Sequence, residues 1–329
     1  MNKTLYAHWF FDPNSENVPL LRSLLDDGIE LTVGKELAET AVPKILISGK
    51  VTKEQLEDNP SVESIIVPWA GLPAGLREVV EQFSHISVHN SHHNARPVAE
   101  MVLTLMLAAS KLIVPIDQAM RRHDWSYRYE QPQPLLALAG KTALILGYGQ
   151  IGQRVGALCQ AFGMRVLALR RSVNEPQFID GTHIYPSDTL HELLPQANFL
   201  VACLPLTPQT EGLIGQAEFD LLPNDAILVN VGRGKVVDEG ALYEALRNGR
   251  LHSAGLDVWY NYPKDKPSRT NTPPANFPFH ELENVVMSPH RADEGDDTER
   301  LRMLDLAEML NTAVKGNPLP NKVNLANGY

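Results

Sequence analysis

Arg233 and His290 are the two side chains whose type and setting best suit chemistry. Arg233 lies in Val229-Asn230-Val231-Gly232-Arg233-Gly234, where flanking glycines give it room to point outward and hold a carboxylate in its planar fork. His290 ends Met287-Ser288-Pro289-His290, and an imidazole, which exchanges protons near neutral pH, suits general acid–base work. Taken singly, a loop arginine is usually solvated and a lone histidine usually structural. A third feature changes the balance. The apolar run Lys141–Leu146 leads directly into Gly147-Tyr148-Gly149-Gln150-Ile151-Gly152, and a helical pattern continues to about Phe162. In that order Gly147 permits the tight turn, Gly149 lets backbone approach a pyrophosphate, and Gly152 lets helix and strand pack closely. The helix N-terminus offers unpaired N–H groups to phosphate. A carboxylate clamp, an acid–base group and a dinucleotide loop together match what α-keto acid reduction requires.

The next apolar run ends Leu169-Arg170-Arg171-Ser172. An acid here would accept a ribose 2′-hydroxyl, whereas arginine pairs with a 2′-phosphate. Two arginines and no acid favour NADP(H) over NAD(H). The alternative is that both are solvated charges at a strand end and NAD is also accepted.

The elements that must position these groups alternate short apolar runs with helical patterns, the mark of βα units. Expected strands in the first third are Leu5–Phe10, Ile29–Val33, Lys44–Ser48, Ser64–Val67 and Ile86–His89, with helices near Val18–Asp26, Lys53–Asp58 and Gly75–Phe83. Pro97 opens a long helix, Val98 to about Met120, suited to bridging two lobes, and the Pro-rich stretch Glu130-Gln131-Pro132-Gln133-Pro134 follows. The second series has strands Lys141–Leu146, Arg165–Leu169, Phe199–Cys203, Ala226–Asn230, His252–Leu256 and Asn284–Met287, then a last helix near Thr298–Val314. Lys264–Phe279 reads as a proline-rich loop. The expected class is α/β, with two Rossmann-like domains built on doubly wound parallel sheets. The smaller, substrate domain is discontinuous (1–97 and 296–329), and 98–295 form the dinucleotide-binding domain.

A length of 329 residues fits two domains, and a formal net charge of −10 argues against nucleic-acid or anionic-membrane partners. No run approaches a membrane span, and the N-terminal apolar stretch, broken by His8 and ended by Asp12-Pro13, is too short for a signal segment. Cys159 and Cys203 lack metal-type spacing and read as reduced core thiols of a cytoplasmic chain. His85, His89, His92 and His93 cluster in sequence, but at a strand end and hinge their spacing does not converge, so no metal is expected. His92 and His93 could instead face a cleft. Trp9, Phe10 and Phe11 read as core near the end of the first strand.

Across nearly the whole chain the sequence resembles the D-isomer-specific 2-hydroxyacid dehydrogenase family. The resemblance is carried by Asn94 with Val98-Ala99-Glu100, Leu138-Ala139-Gly140-Lys141-Thr142, Gly147–Gly152, Leu204-Pro205-Leu206-Thr207-Pro208-Gln209-Thr210, Val231-Gly232-Arg233-Gly234, Leu256-Asp257-Val258 and Ser288-Pro289-His290. It implies that Arg233 binds the substrate's carboxylate and carbonyl and that His290 protonates the carbonyl oxygen. The Ala70-Gly71-Leu72 loop would offer amides to the carboxylate, and Asn94 would be a further substrate-binding residue. Leu204, Pro205, Thr207, Thr210, Val231, Gly232 and Asp257 would line the cofactor cleft together with His290. A homodimer acting on a small 2-oxo acid is also implied.

One departure stands out. The family usually has a glutamate just before the proline that closes the Asp-Val-aromatic segment, paired with the histidine. In Asp257-Val258-Trp259-Tyr260-Asn261-Tyr262-Pro263, Tyr262 takes that place. A carboxylate favours imidazolium, and a neutral phenol gives no such charge stabilisation. The expectation is therefore a Tyr262–His290 hydrogen bond and a reduction rate that declines at lower pH than in glutamate-bearing relatives. Asp293 and Glu294 are the nearest carboxylates in sequence, although the acidic run Asp293–Glu299 reads more simply as favouring the start of the last helix. Trp259, Tyr260 and Tyr262 could form an aromatic substrate wall or pack the proline-rich loop. Two further readings stay open: a cofactor-binding sensor or corepressor with decayed catalysis, and oxidation of a different donor such as formate or phosphonate.

Overall fold

The computed structural model describes residues 4–37, 42–130 and 133–325. Met1–Lys3 and the Gln131-Pro132 step of the Pro-rich stretch lie outside them. The chain divides into two compact units, one made of Met1–Asn94 with Glu294–Tyr329 and the other of Ala95–Asp293.

In the first unit, β1 (Leu5–Phe10), β2 (Ile29–Gly34), β3 (Ile45–Ile47), β4 (Ser64–Val67) and β5 (Ser87–Asn90) form a parallel sheet in the order β2-β1-β3-β4-β5. Alternation within the strands divides the core. Ile45 and Ile47 join Trp9, Ile66 and Leu21 on one face, while Leu46 joins Val51, Ile65, Val67 and Val88 on the other. The helix Thr298–Val314 lays Met303, Leu306, Ala307 and Leu310 on the Trp9 face, which makes this unit discontinuous. Trp9 is core, stacked on Phe11 at 4.3 Å.

The second unit carries β6 (Thr142–Leu146), β7 (Arg165–Leu169), β8 (Gln177–Ile179), β9 (Thr182–Tyr185), β10 (Phe199–Ala202), β11 (Ile227–Asn230), β12 (Ser253–Leu256) and β13 (Val285–Met287). Their order is β13-β12-β11-β10-β6-β7-β9-β8, parallel throughout except for β8. The strand order reverses between β6 and β10, the place where open α/β sheets bind ligands beyond their carboxyl ends. Strands β8 and β9 were not anticipated. They are short and partly polar, yet Asp180-Gly181, with φ of 48° and 77°, is the two-residue turn that such a hairpin needs.

The expected long helix is two helices, Ala95–Ser110 and Ile113–Arg121, bent by 63°. Pro115 explains the break: inside a continuous helix it could not donate to Lys111 and its ring would strike that carbonyl. With Leu112 left-handed at φ 50°, the second helix begins afresh and Pro115 falls in its first turn. The first of these helices packs on β11, β12 and β13 and on the helix Gln150–Ala161, so it belongs to this unit's core. No single helix among the described residues is long and apolar enough to cross a membrane.

Candidate active site

The glycine-rich turn is built as its spacing requires. Gly147 has φ 94°, in the left-handed region open to glycine, and a Cβ there would meet Leu204 Cδ2 at 3.1 Å and the Cys203 carbonyl oxygen at 3.2 Å. At Gly152 a Cβ would overlap the Gly147 carbonyl, so the helix Gln150–Ala161 can begin only if that residue has none. Gly149 and Gln150 are exposed at the helix start, and Ile151 packs against the core. This exposed, positively polarised start over a side-chain-free turn is a cradle that fits a dinucleotide's phosphates. Tyr148 contributes differently: its ring is buried and its hydroxyl donates to Thr182 Oγ1 at 2.9 Å, so the side chain braces the helix from beneath.

Adjacent strand ends close around the turn. The amides of Gly147 and Tyr148 both donate to the Leu169 carbonyl, at 3.2 and 3.1 Å, which places Arg170 beside the loop. Arg170, Arg171 and Ser172 are exposed. On the other side the Cys203 amide donates to the Leu146 carbonyl at 2.9 Å. Burial pushes both thiols, Cys203 and Cys159, up to about 12, so neither offers a thiolate. In the segment after β10, the Thr210 hydroxyl donates to the Pro205 carbonyl at 2.6 Å and accepts the Thr207 amide at 2.8 Å. It folds that loop upon itself.

Arg233 follows β11 in extended backbone, exposed between two buried glycines. The glycines serve close packing rather than room for the arginine: a Cβ at Gly232 would overlap the Leu204 carbonyl, and one at Gly234 the Trp259 carbonyl. Val231 is buried, its amide donating to Ala202 O at 3.1 Å. Buried Asn230 spans the turn, accepting the Gly232 amide at 3.1 Å and donating to the Arg233 carbonyl at 3.1 Å.

Asp257, at the exit of β12, is wholly buried (0% exposed), so it lines no open surface. Its carboxylate accepts the Ser288 hydroxyl and the amides of Arg291 and Ala292, both at 3.0 Å. Three donors from the segment around His290 therefore converge on one carboxylate. His290 itself is exposed and sits at φ 60°, unusual for a residue with a Cβ. Trp259 holds the same segment from its other side, its indole N–H donating to the Ser288 carbonyl at 2.8 Å.

The expected Tyr262–His290 hydrogen bond is not formed. The Tyr262 hydroxyl accepts the Trp259 amide at 3.1 Å, and the contact with His290 is ring to ring, with centroids 5.5 Å apart and planes tilted by 57°. The turn Trp259–Tyr262 brings the hydroxyl back to its own backbone, which leaves the ring against the imidazole. Burial raises the Tyr262 pKa, against the opposing effects of the Trp259 amide and the nearby Arg233 charge. Tyr262 thus lies within electrostatic reach of Arg233 and in contact with His290. Tyr260 is structural, donating to the Val237 carbonyl at 3.0 Å. Asn230 and Trp259 as braces had only a weak signal in sequence, a polar or aromatic residue at an apolar strand's exit.

In the first unit, Ala70-Gly71-Leu72 follows β4, with Gly71 at φ 99°. Among the described residues the amides of these three donate to no protein acceptor. Asn94 is buried and its Oδ1 has no partner among the described residues. His89 is bonded through both ring nitrogens, to the Pro320 carbonyl at 2.7 Å and Ser87 Oγ at 2.9 Å, and so anchors the C-terminal segment.

Residues 103–292 match the family model of the D-isomer specific 2-hydroxyacid dehydrogenase, NAD binding domain. Among curated proteins, the chain is 38% identical over 231 residues to a glyoxylate reductase of Aeropyrum pernix, covering 69% of this chain and 65% of that one. It is 29% identical over 278 residues to a D-3-phosphoglycerate dehydrogenase of Methanocaldococcus jannaschii, covering 84% of this chain and 50% of the relative. The chain thus spans about half to two thirds of the length of these relatives. Among solved structures, a D-isomer specific 2-hydroxyacid dehydrogenase from Xanthobacter autotrophicus Py2 aligns with a TM-score of 0.77 at 23% identity, covering 99% of this chain and 100% of that one, a likeness of fold. With the strand order, the glycine turn and the Arg233 and His290 segments in place, the chain belongs to the D-isomer specific 2-hydroxyacid dehydrogenase family.

Proposed function

We propose that the protein is an oxidoreductase that interconverts a small 2-oxo acid and its 2-hydroxy acid with a nicotinamide dinucleotide. The observation that carries this reading is that Arg233 and His290 follow β11 and β13 at the same sheet end as the glycine cradle, with the Tyr262 ring against His290. A dinucleotide held at Gly147–Gly152 would supply or accept the hydride. Arg233 neutralises the substrate's carboxylate and orients its carbonyl. His290 holds the proton that the carbonyl oxygen takes during reduction. Within the first unit, the undonated amides of Ala70-Gly71-Leu72 suit a carboxylate, and buried Asn94 carries an unmatched acceptor.

NADP(H) is the proposed preferred cofactor, because Arg170 leaves β7 beside the glycine turn and no carboxylate occupies that strand end to repel a 2′-phosphate. A homodimer in the cytoplasm completes the reading. Supporting the dimer are Ile113, Met120, Trp125, Tyr129 and Leu135, exposed apolar side chains within one short stretch of chain.

The test is oxidation of NADPH and NADH against a panel of 2-oxo acids, with Arg233→Ala as control. Turnover that collapses in the variant supports the assignment. Cofactor binding without turnover of any 2-oxo acid would favour a sensor on the same fold.

A further inference from the structure

Trp259 is only 6% exposed, so it forms no wall of an open cleft. Its ring stands edge-on to Phe279, with centroids 6.2 Å apart, and belongs to the core that also holds Leu242 and Leu256. From that fixed place three of its groups reach three segments of the candidate site. The carbonyl lies under the Arg233 turn: a Cβ on Gly234, the residue after Arg233, would overlap it and lie 3.1 Å from Trp259 Cα. The indole N–H donates to the Ser288 carbonyl at 2.8 Å, two residues before His290. The amide donates to the Tyr262 hydroxyl at 3.1 Å, and the ring of that tyrosine rests against His290. The Asp257 carboxylate, by comparison, binds the His290 segment. Trp259 contacts that segment and the arginine turn as well.

The carboxylate and the carbonyl of a 2-oxo acid sit on adjacent carbons, so the groups that bind them must keep one spacing. A misplacement of about 1 Å costs about 100-fold in rate. A single core residue with a group on each segment can set that spacing. The type of ring matters. Phenylalanine would fill much of the same volume, but it has no N–H, and the Ser288 carbonyl would lose this donor.

We infer that Trp259 is a positioning residue that ties the carboxylate clamp to the acid–base group, holding the Arg233 turn through its backbone and the His290 segment through its indole N–H. It acts through Arg233 and His290 and touches neither substrate nor cofactor. This rests on the 2-oxo acid reading above and adds to it the element that sets the geometry.

The test uses Trp259→Phe and a full chain carrying benzothienylalanine at position 259, which keeps the bicyclic shape and lacks the N–H. Kinetics are measured with the 2-oxo acid and cofactor that the wild type turns over fastest, and cofactor Kd by fluorescence titration. In both variants kcat should fall about tenfold, with KM for the 2-oxo acid and cofactor Kd within about twofold of wild type, because the carbonyl still supports Gly234. In a His290→Gln background, adding Trp259→Phe should leave the residual rate unchanged, since the group it aims is gone. A purely structural loss would lower both backgrounds equally. Gly234→Ala acts on the other contact and should raise KM about tenfold. Thermal melts confirm folding. Wild-type kcat in the folded benzothienylalanine variant overturns the proposal, as does an equal fall in the His290→Gln background. A wild-type KM in folded Gly234→Ala removes the tie to the clamp. Each of these leaves the 2-oxo acid reading standing, whereas a wild type inactive on every 2-oxo acid removes both.

Discussion

The buried carboxylate of Asp257 accepts the backbone amide of Arg291 at 3.0 Å, and so holds His290, the residue just before it, in a left-handed conformation. An L-residue adopts φ 60° at some cost, and the three bonds to Asp257 with the Trp259–Ser288 bond offset it. The imidazole is thereby aimed by groups that need not touch substrate themselves.

Asp257→Ala removes the common acceptor and strands the part-buried amide of Arg291 and the buried amide of Ala292. The expected destabilisation is about 2–4 kcal/mol, with kcat lowered by about two orders of magnitude or more. Asp257→Asn, which keeps one carbonyl acceptor, should fall between the variant and wild type. Denaturant melts with steady-state kinetics check both, and wild-type kcat in folded Asp257→Ala would show that the loop needs no such anchor.

Tyr262→Glu puts a carboxylate beside His290. An opposite charge favours imidazolium, so the acid form persists to higher pH and the alkaline fall in reduction should shift upward by about one pH unit. Tyr262→Phe keeps the ring contact and loses the acceptor for the Trp259 amide, so its pH profile should match wild type with a modest loss of stability, about 1 kcal/mol. A profile displaced in Tyr262→Phe would mean that the hydroxyl takes part in the proton transfer after all.

Arg170→Ala and Arg171→Ala should weaken NADPH far more than NADH. A lost charge-assisted pair costs about 1.5–3 kcal/mol, or roughly 10- to 100-fold in KM for NADPH. NADH should change no more than about threefold. Equal effects on both cofactors would assign these arginines to the shared part of the dinucleotide or to the surface.

Stability should depend on pH through His93. It is 8% exposed, its Nε2 has no partner among the described residues, and burial, with the Arg302 and His92 charges, lowers its pKa to about 4. The unfolded chain then binds the proton more readily than the folded one between about pH 6.5 and 4. Stability is therefore full above pH 6.5 and declines as pH falls toward 4, by up to about 3 kcal/mol. His8 and His89, also lowered by burial, act in the same direction. Melting temperatures between pH 7.5 and 4.5 measure the slope, and His93→Gln should flatten it.

Local rules covered a good part of the molecule. Period-two burial and continuous apolar runs located β1, β4, β6 and β7 with their bounds nearly intact, because strands covered on both faces must be apolar throughout. The glycine turn was legible since its geometry demands glycine at Gly147 and Gly152 whatever surrounds them. The hairpin of β8 and β9 is hard to read from sequence because partly polar strands at a sheet edge carry little apolar signal, although Asp180-Gly181 marks its turn. The single long helix expected over Val98–Met120 fails for the opposite reason: apolar content runs on past the break and masks what Pro115 imposes.

From its residues alone, then, this chain specified a pair of parallel α/β units, a phosphate-cradling turn, an arginine and a histidine at strand exits, and a tyrosine in place of a carboxylate. Only the tertiary structure decided how those groups are held. Asp257 became a buried anchor rather than a cleft residue, Tyr262 turned its hydroxyl to Trp259, and Trp259 came to lie under the Arg233 turn. The reason is physical: backbone conformation and burial follow from near neighbours in sequence, whereas a side chain's hydrogen-bond partner is set by whichever groups the sheet brings alongside it, often dozens of residues away.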